Sequence, residues 1–457
     1  MYHKLTTVSA LTLGLLVGGA TFAPTASQAQ AVTPTPCGQA VQPTCGIYNP
    51  YQGTQTQRGD VSSSVNVTGG TIVVNQSVVP VGTIALPAQV TATTIATLSS
   101  AIGNNVSAKV QNQLQLQGNV VQDLFGSVSA LNVITTSSAV PGLVTSVTSA
   151  YGNTSQAEAC CGGMNVDMNQ TVSAGSILAD ARVTTAPGLG TLSMATTANA
   201  NAIGTSVTNG PLTLRGMQLN NGGVFSSSQG AVCCNNNSIT VASTAVANSS
   251  ASASTNSTVY STTVQRNNGQ VLSGASHVTG SGTVITSATQ ATGNSVYATN
   301  QWGYTQVDAN QINTGRIGAV ANLTAQNYLT SAVVGATSTA NSILLSSQGS
   351  DGTLVGFQTN AIGADVSSQV FLDGSSTNGG VAQASGTAIA NSMTGYACSG
   401  CGTNSVKLEG VFGQTNSANV TSTVSLGSNG AVGTYGSILG QGTAVGNSAT
   451  FIAQRVN

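Results

Sequence analysis

An all-β solenoid of about eight repeats is the fold this sequence predicts, and three observations predict it. A short motif centred on an asparagine returns at steps of 46 to 56 residues. Between its copies, small or apolar residues alternate with polar ones at a period of two, the signature of a strand with one buried face. The chain is also nearly free of charge and of aromatic rings: 4% of its 457 residues are charged, 4% are aromatic, and the formal net charge is −1.

The first element is an export signal over residues 1–31. His3 and Lys4 form a short basic start, Val8 to Ala20 is apolar but too short to span a bilayer, and Ala29-Gln30-Ala31 offers small residues for cleavage before Val32. Cys37 follows Thr33-Pro34-Thr35-Pro36, which is no lipobox, so a lipid anchor is not expected. Residues 32–54 read as a Pro- and Cys-containing linker or cap, and 55–457 as the β-repeat domain.

Composition narrows the class of the repeat domain. A typical globular protein carries roughly 25% charged residues, and disordered chains combine low hydrophobicity with high net charge. This chain has 40% hydrophobic residues and almost no net charge, so it fits neither class. Gly, Ser, Thr, Asn, Gln, Ala and Val dominate; they suit extended strands, and amides stack well between identical layers. No basic patch is present, which argues against nucleic acid as a partner. Weak charge repulsion favours self-association, a requirement in an exported structural polymer.

The repeat itself is explicit. Its asparagines are Asn104, Asn153, Asn201, Asn248, Asn294, Asn341, Asn391 and Asn447, each preceded by Gly or Ala, and they step by 49, 48, 47, 46, 47, 50 and 56 residues. A second pattern, Gln-x-Asn or Asp, falls between them at Gln117-Gly118-Asn119, Gln218-Leu219-Asn220, Gln265-Arg266-Asn267, Gln306-Val307-Asp308, Gln358-Thr359-Asn360 and Gln414-Thr415-Asn416. Asp167-Met168-Asn169 fills the missing slot, and Gln55 to Val65 reads as a partial copy of Gln358 to Val370. Two interleaved patterns holding one period mark a repeat architecture.

Strand rows lie between the motifs. Ile239, Val241, Ser243, Ala245, Ala247, Ser249, Ala251 and Ala253 form one alternating face, and Val420, Ser422, Val424 and Leu426 another. Asn221-Gly222-Gly223, Asn268-Gly269, Asp351-Gly352, Asn378-Gly379-Gly380 and Asn429-Gly430 supply turns. Gln89 to Phe125 is the one stretch whose pattern admits some helix. Each repeat forms one long coil or two short ones, adding about 4.8 Å of sheet spacing per coil. Stacking aligns the asparagines into a ladder of buried amides. A β-propeller uses repeats of similar length, but the scarcity of aromatics and of a charged blade signature counts against it.

The eight cysteines fall into local pairs: Cys37/Cys45, Cys160/Cys161, Cys233/Cys234 and Cys398/Cys401. In an exported chain they are candidates for disulfides, local or long-range. The Cys-x-x-Cys at Cys398 raises zinc or redox chemistry, but no second pair is near in sequence and the mature chain has a single histidine, His277. No metal or cofactor is expected. Nor is an enzyme: the acids are scattered singly and form no sequence-visible pair. Arg58-Gly59-Asp60 is a chance tripeptide, and the Asn-x-Ser/Thr sites are by-products of composition.

The export signal, the Gln/Asn/Ser/Gly repeat and the near absence of charge resemble the curli-type secreted subunits, in which Gln-x-Gly and Asn-x-Ala recur in every β-arc. Gln117-Gly118-Asn119 and Asn360-Ala361 echo that grammar, at a period about twice as long. Chain length, adjacent cysteine pairs and repeat style are more similar to holdfast attachment protein D of stalked alphaproteobacteria, over residues 55–457. That resemblance implies a cell-surface, amyloid-like protein associated with the outer membrane, anchoring a polysaccharide holdfast to the envelope. The partners it implies are a small curlin-like subunit, an outer-membrane secretion lipoprotein, the extracellular polysaccharide and further copies of the chain. A filamentous two-partner-type adhesin is the main alternative. The final residues, Phe451 to Asn457, do not read as a translocator barrel, so a separate exporter is expected.

Overall fold

The computed structural model describes residues 48–57, 61–68, 73–74, 82–85, 94–110, 115–136, 140–185, 189–233, 236–325, 328–374, 380–399, 406–427 and 436–455. The expected export signal, most of the linker and Arg58-Gly59-Asp60 lie outside them. The described residues belong to one compact unit, Gly46–Asn457, and they contain strands and turns without a helix.

The chain winds through three parallel sheets. In the first coil β1 (Tyr48–Gln57) enters sheet 1 and β2 (Val61–Thr68) enters sheet 2. Two short strands follow, β3 (Val73–Val74) and β4 (Gly82–Ala85), and then the long β5 (Ile95–Val110) in sheet 3. The second coil is simpler: β6 (Gln115–Leu124), β7 (Val128–Thr136) and β8 (Val140–Cys160) occupy sheets 1, 2 and 3 in turn. Six more coils repeat that order, ending with Leu408–Asn416, Val420–Gly427 and Ser437–Arg455. Sheet 1 has eight strands and sheets 2 and 3 have nine each, because β4 and β3 add an outer strand beside β2 and β5. Asn201 pairs with Asn153 on one side and Asn248 on the other, so each repeat is one coil rather than two. Over Gln89 to Phe125, the described residues are the strands β5 and β6, where Ile95, Leu116, Val120 and Leu124 point inward at alternate positions.

Each long strand of sheet 3 changes face halfway. In Leu189–Thr208 the even alternation of buried residues is broken at Ala200 and Asn201, which are both buried, and the pairing to the next coil skips Ala200. The row predicted as a single face therefore divides. Ile239, Val241, Ser243, Ala245 and Ala247 point inward, but beyond Asn248 the buried residues are Ser250, Ser252 and Ser254, while Ala251 and Ala253 face solvent. The physical reason lies in the residue before the asparagine. A Cβ on Gly152 would meet the carbonyl oxygen of Ala200 and the side chains of Ile177 and Leu124; on Gly103, the carbonyl of Gly152. The bend calls for a small residue, Gly where the next carbonyl comes this close and Ala elsewhere, and the eight copies carry Gly103, Gly152, Ala200, Ala247, Gly293, Ala340, Ala390 and Gly446.

The bend sits opposite the corner between sheets 1 and 2. There Asn220, Asn267 and Asn313 fold back so that Nδ2 donates to the carbonyl two residues ahead, at Gly222, Gly269 and Gly315, at 2.8–2.9 Å. A Cβ on Gly269 would collide with the oxygen of Gly222, and one on Gly315 with that of Gly269. The Asn-Gly turn signals at 221–222 and 268–269 are thus corners of the coil.

Bend and corner divide the interior into two apolar compartments. One lies between sheet 2 and the first half of sheet 3, and holds Ile134, Ile177, Leu192, Met194, Ile239 and Val271 among others. The second, between sheet 1 and the other half of sheet 3, is filled by Leu116, Met164, Met168, Ile203 and Leu214 in the early coils. Val296, Val307, Ile343, Leu354 and Met393 fill it in the later ones. Between those two groups, buried Ser250, Ser252, Ser261 and Thr263 replace apolar side chains, and Thr205 donates to Ser252 at 2.9 Å. Stacked layers at strand spacing leave little depth for large side chains, which accounts for so much inward Ala, Ser and Val.

His277 is the one imidazole in this core. It lies in sheet 2 between Gly230 and Leu323, and its ring occupies the space that a side chain at position 230 would need. Neither ring nitrogen has a hydrogen-bond partner among the described residues, and burial pushes its pKa down to about 4. The neutral ring is therefore the form that folds. Unfolded, the ring protonates near 6.5, so stability is full above that pH, declines as pH falls toward 4, and levels off below it. The loss amounts to about 3 kcal/mol. Urea midpoints measured at pH 7 and pH 4 are expected to differ accordingly, and H277L to remove that part of the difference; equal midpoints for both proteins would refute the assignment.

Candidate functional site

Three columns of amide side chains run through the waist where bend meets corner. The first comprises the eight repeat asparagines. Asn104 donates from Nδ2 to Oδ1 of Asn153 at 2.8 Å, and the series continues through Asn201, Asn248, Asn294, Asn341 and Asn391 to Asn447, every link at 2.7–2.8 Å. From Asn104 to Asn391 the second hydrogen of Nδ2 goes to a sheet 1 carbonyl; Asn248, for example, donates to Arg266 at 3.0 Å. Asn153 through Asn391 are fully buried.

The second column is glutamine. Gln122 donates to Gln55, Gln170 to Gln122, Gln218 to Gln170, and so on through Gln265, Gln311, Gln358 and Gln414, at 2.7–2.9 Å. Each also donates to a carbonyl of sheet 3, as Gln265 does to Ser295 at 2.8 Å. Its amides point toward the start of the chain, whereas the asparagines point toward the end. The third column, Asn220, Asn267, Asn313, Asn360 and Asn416, links the corners at 2.8–2.9 Å.

The Gln-x-Asn spacing locates four of these glutamines correctly, at 218, 265, 358 and 414, and misplaces three. Gln117, Gln306 and the Asp167 slot lie on the outer face of sheet 1: Gln117 stacks on Asn165, Gln306 reaches Asp308, and Asp167 pairs with Arg215. The true occupants are Gln122, Gln170 and Gln311. Gln122 and Gln170 are followed two residues on by Leu124 and Val172, so the motif misses them, whereas Gln311-Ile312-Asn313 fits the motif but lies five residues after its imitation at Gln306. Equal spacing from Gln218, with steps of 48, 48, 47, 46 and 47 from Gln122 to Gln358, identifies them. Gln55 occupies the column as well, bonded to Gln122.

The cysteines sit at the lateral turns. Cys160 and Cys161 are exposed and free, with Sγ atoms 2.8 Å apart, where sheet 3 hands over to sheet 1; Cys398 lies along the same edge and is also free. Position 161 belongs to a left-handed column: Cys161, Asn209, Asn256, Trp302 and Gly349 all have φ between 52° and 80°, and each donates its N–H to the next coil. Cys233, at the end of a sheet 2 strand, is disulfide-bonded. Cys37, Cys45, Cys234 and Cys401 lie outside the described residues. Among those residues no three His, Cys, Asp or Glu side chains gather as a metal site.

Four ion pairs lie among the described residues. Lys109 meets Glu158 and Arg182 meets Asp180 at 2.7 Å, Arg215 pairs with Asp167, and Lys407 with Glu409. The Lys109 and Lys407 ammonium groups are held above their ordinary pKa, first by the hydrogen bond to the partner carboxylate and then by its charge.

The final coil, last in each sheet, leaves inward-facing side chains uncovered. Phe412 stacks on Phe451 with ring centroids 5.3 Å apart, yet Phe412, in the inward column of Gly356, remains 51% exposed, and Ile438, in the inward column of Ala382, is exposed too. Asn447 accepts from Asn391, but its own Nδ2 has no acceptor among the described residues. The asparagine column of the waist ties this coil to the one before it. Asn248→Leu is expected to strand the donor of Asn201 and the acceptor of Asn294, at about 1–3 kcal/mol for each unsatisfied group. A drop in thermal or urea stability of that size checks it; an unchanged midpoint would mean the column contributes nothing.

A family model described as holdfast attachment protein D matches residues 87–363, more than half of the chain. No curated protein and no solved structure matches it. The matched span contains six of the eight ladder asparagines, Asn104 to Asn341, and so covers the same repeat that the sheets display. Proteins of this family serve holdfast attachment, a structural role at the cell surface or outside the cell. With its repeat matched over that span, this chain belongs to the holdfast attachment protein D family.

Proposed function

We propose that the chain is exported, self-associates head to tail through its final coil, and forms a tough layer that ties an extracellular polysaccharide holdfast to the outer membrane. The observation that carries this reading is the match between the two ends of the ladders. At the final coil Asn447 has a spare donor, and Gln414 donates to Gln358 and Ser448 while its Oε1 accepts nothing among the described residues. At the first coil the roles reverse. Among the described residues Asn104 donates to Asn153 and Asp123 while its Oδ1 accepts nothing, and Gln55 donates once, to Asn105, at 2.9 Å. A second copy stacked on the final coil would complete both columns in the same sense. Such an interface is heterologous and generates open filaments.

The exposed edge supports the same reading. Strand edges in soluble proteins are usually guarded by lysine, proline or a covering element. The strand Ser437–Arg455 has Arg455 as its one charged residue, and no proline follows Pro211. At the other end β3 and β4 lie beside part of sheets 3 and 2, so the two ends are unequal. Many weak contacts in parallel would then hold the polysaccharide, with a small curlin-like subunit and a secretion lipoprotein as partners at the membrane.

Sedimentation of the purified mature protein tests the association. High-molecular-weight species resistant to mild detergent are expected, and Phe412→Lys, which places a charge at the open end, is expected to shift them to monomer and to weaken holdfast retention by cells. A strictly monomeric wild-type protein would sink the mechanism. Placement is tested separately: protease added to intact cells should digest the chain, and full protection until the envelope is opened would put it in the periplasm instead.

A further inference from the structure

We infer that the outer face of sheet 3 carries a binding groove for an uncharged oligosaccharide segment, a reading that rests on the polysaccharide-anchoring function proposed above. The groove has a volume of about 450 Å³ and opens beside the turn from sheet 3 to sheet 1. That volume lies within the range of small-ligand sites.

Register creates it. Ser206, Ala253, Thr299 and Ser346 stack as one column of the floor. Thr208, Thr255, Gln301 and Gln348 stack as the next, nearer the turn. Tyr297 follows Ala251 in its own column, so a ring rises where the coil before has a methyl, and it is 46% exposed. Asn300, between the two columns, turns its side chain to the inward face, where Nδ2 donates to the carbonyls of Ser257 and Gly303 at 2.7 and 2.8 Å and pins the strand beneath the floor.

The chemistry selects among ligands. Apart from the phenol of Tyr297 the lining contains no ionisable side chain, so a charged ligand would lose water without gaining a counter-charge. A purely apolar ligand would cover hydroxyls and amides without replacing their hydrogen bonds. A neutral sugar does neither. Its hydroxyls both donate and accept, as do those of Ser206, Thr208, Thr255 and Thr299, and the two glutamine amides offer one acceptor and two donors each. The half-exposed ring of Tyr297 presents an apolar surface and a polar tip to the same ligand. Gln301 and Gln348 are held to each other only at 3.4 Å, leaving them free to turn toward a ligand.

Trp302 provides the readout. It is the single tryptophan of the chain, it follows Gln301 directly, and it is 58% exposed. Cellohexaose, laminarihexaose and chitohexaose are to be titrated into the full mature chain, with an oligomannuronate of equal length as the charged control. Binding of at least one neutral oligomer is expected, seen in Trp302 emission and in calorimetry, together with a tenfold or greater loss in Ala253→Phe, which fills the groove, and in Tyr297→Ala, which removes its wall. Melting curves guard against misfolding, and either variant suffices if the other is unstable. Absence of neutral binding, preference for the charged oligomer, or wild-type affinity in a folded variant would overturn the groove. Cells lacking the chain separate this from the anchoring reading. If they keep their holdfast, anchoring fails; if they shed it while folded Ala253→Phe protein binds sugar normally, the groove alone fails.

Discussion

A side-chain amide buried at the waist is the constraint on which this architecture depends. Each such amide brings two donors and an acceptor into a region without water, and an unmet group there costs more than a met one gains. One neighbouring coil supplies the acceptor for the first hydrogen, a facing carbonyl accepts the second, and the coil on the other side donates to the oxygen. Asn248 shows all three, bonded to Asn294, Arg266 and Asn201. Satisfaction of one layer thus requires the layers above and below in register. A slip of one residue would turn the column to the other face and leave every amide unmet. The alanines and glycines before the asparagines, and the glycines at the corners, follow from this demand, because the backbones must approach closely enough for the amides to reach.

The two apolar compartments are what the waist separates and aligns. Neither is deep, and the stretch around Ser252 and Thr263 is packed by hydroxyls instead of hydrocarbon. A globular core of this length would call for more large side chains. A solenoid manages with fewer because each layer is closed above and below by its neighbours, and each sheet runs strand to strand from the first coil to the last. His277 fits the same economy: Gly230 makes room for it in the coil before.

Much of the fold was legible in the residues. The asparagine steps alone give the coil length, and the alternation of Ile239 to Ala247 gives the inward face. Legibility failed where the pattern depends on the third dimension. The switch of face after Asn248 leaves no mark in alternation, since Ser249, Ala251 and Ala253 are as small as the residues that are buried. The glutamine column was obscured because the Asn that accompanies Gln218 belongs to the corner, and in the early coils the corner has another form, with Leu124 and Val172 in its place. Gln117 and Gln306 imitate the motif on the outer face. The groove was not visible at all, since its floor joins residues 206, 253, 299 and 346 from four coils.

The direction of the hydrogen bonds has a mechanical consequence. In parallel sheets they lie close to the stacking axis and are evenly spaced along each strand. A tug along that axis opens an interface from one corner, breaking bonds in succession. A tug along the strands loads the whole width of an interface sideways, so its bonds must yield together. Survival under such force is set by the rate of rupture and not by the free energy of folding. The strength of an anchor made from this coil is therefore a vector quantity: the same molecule holds firmly or tears like a perforated sheet according to how its strands lie relative to the drag on the cell.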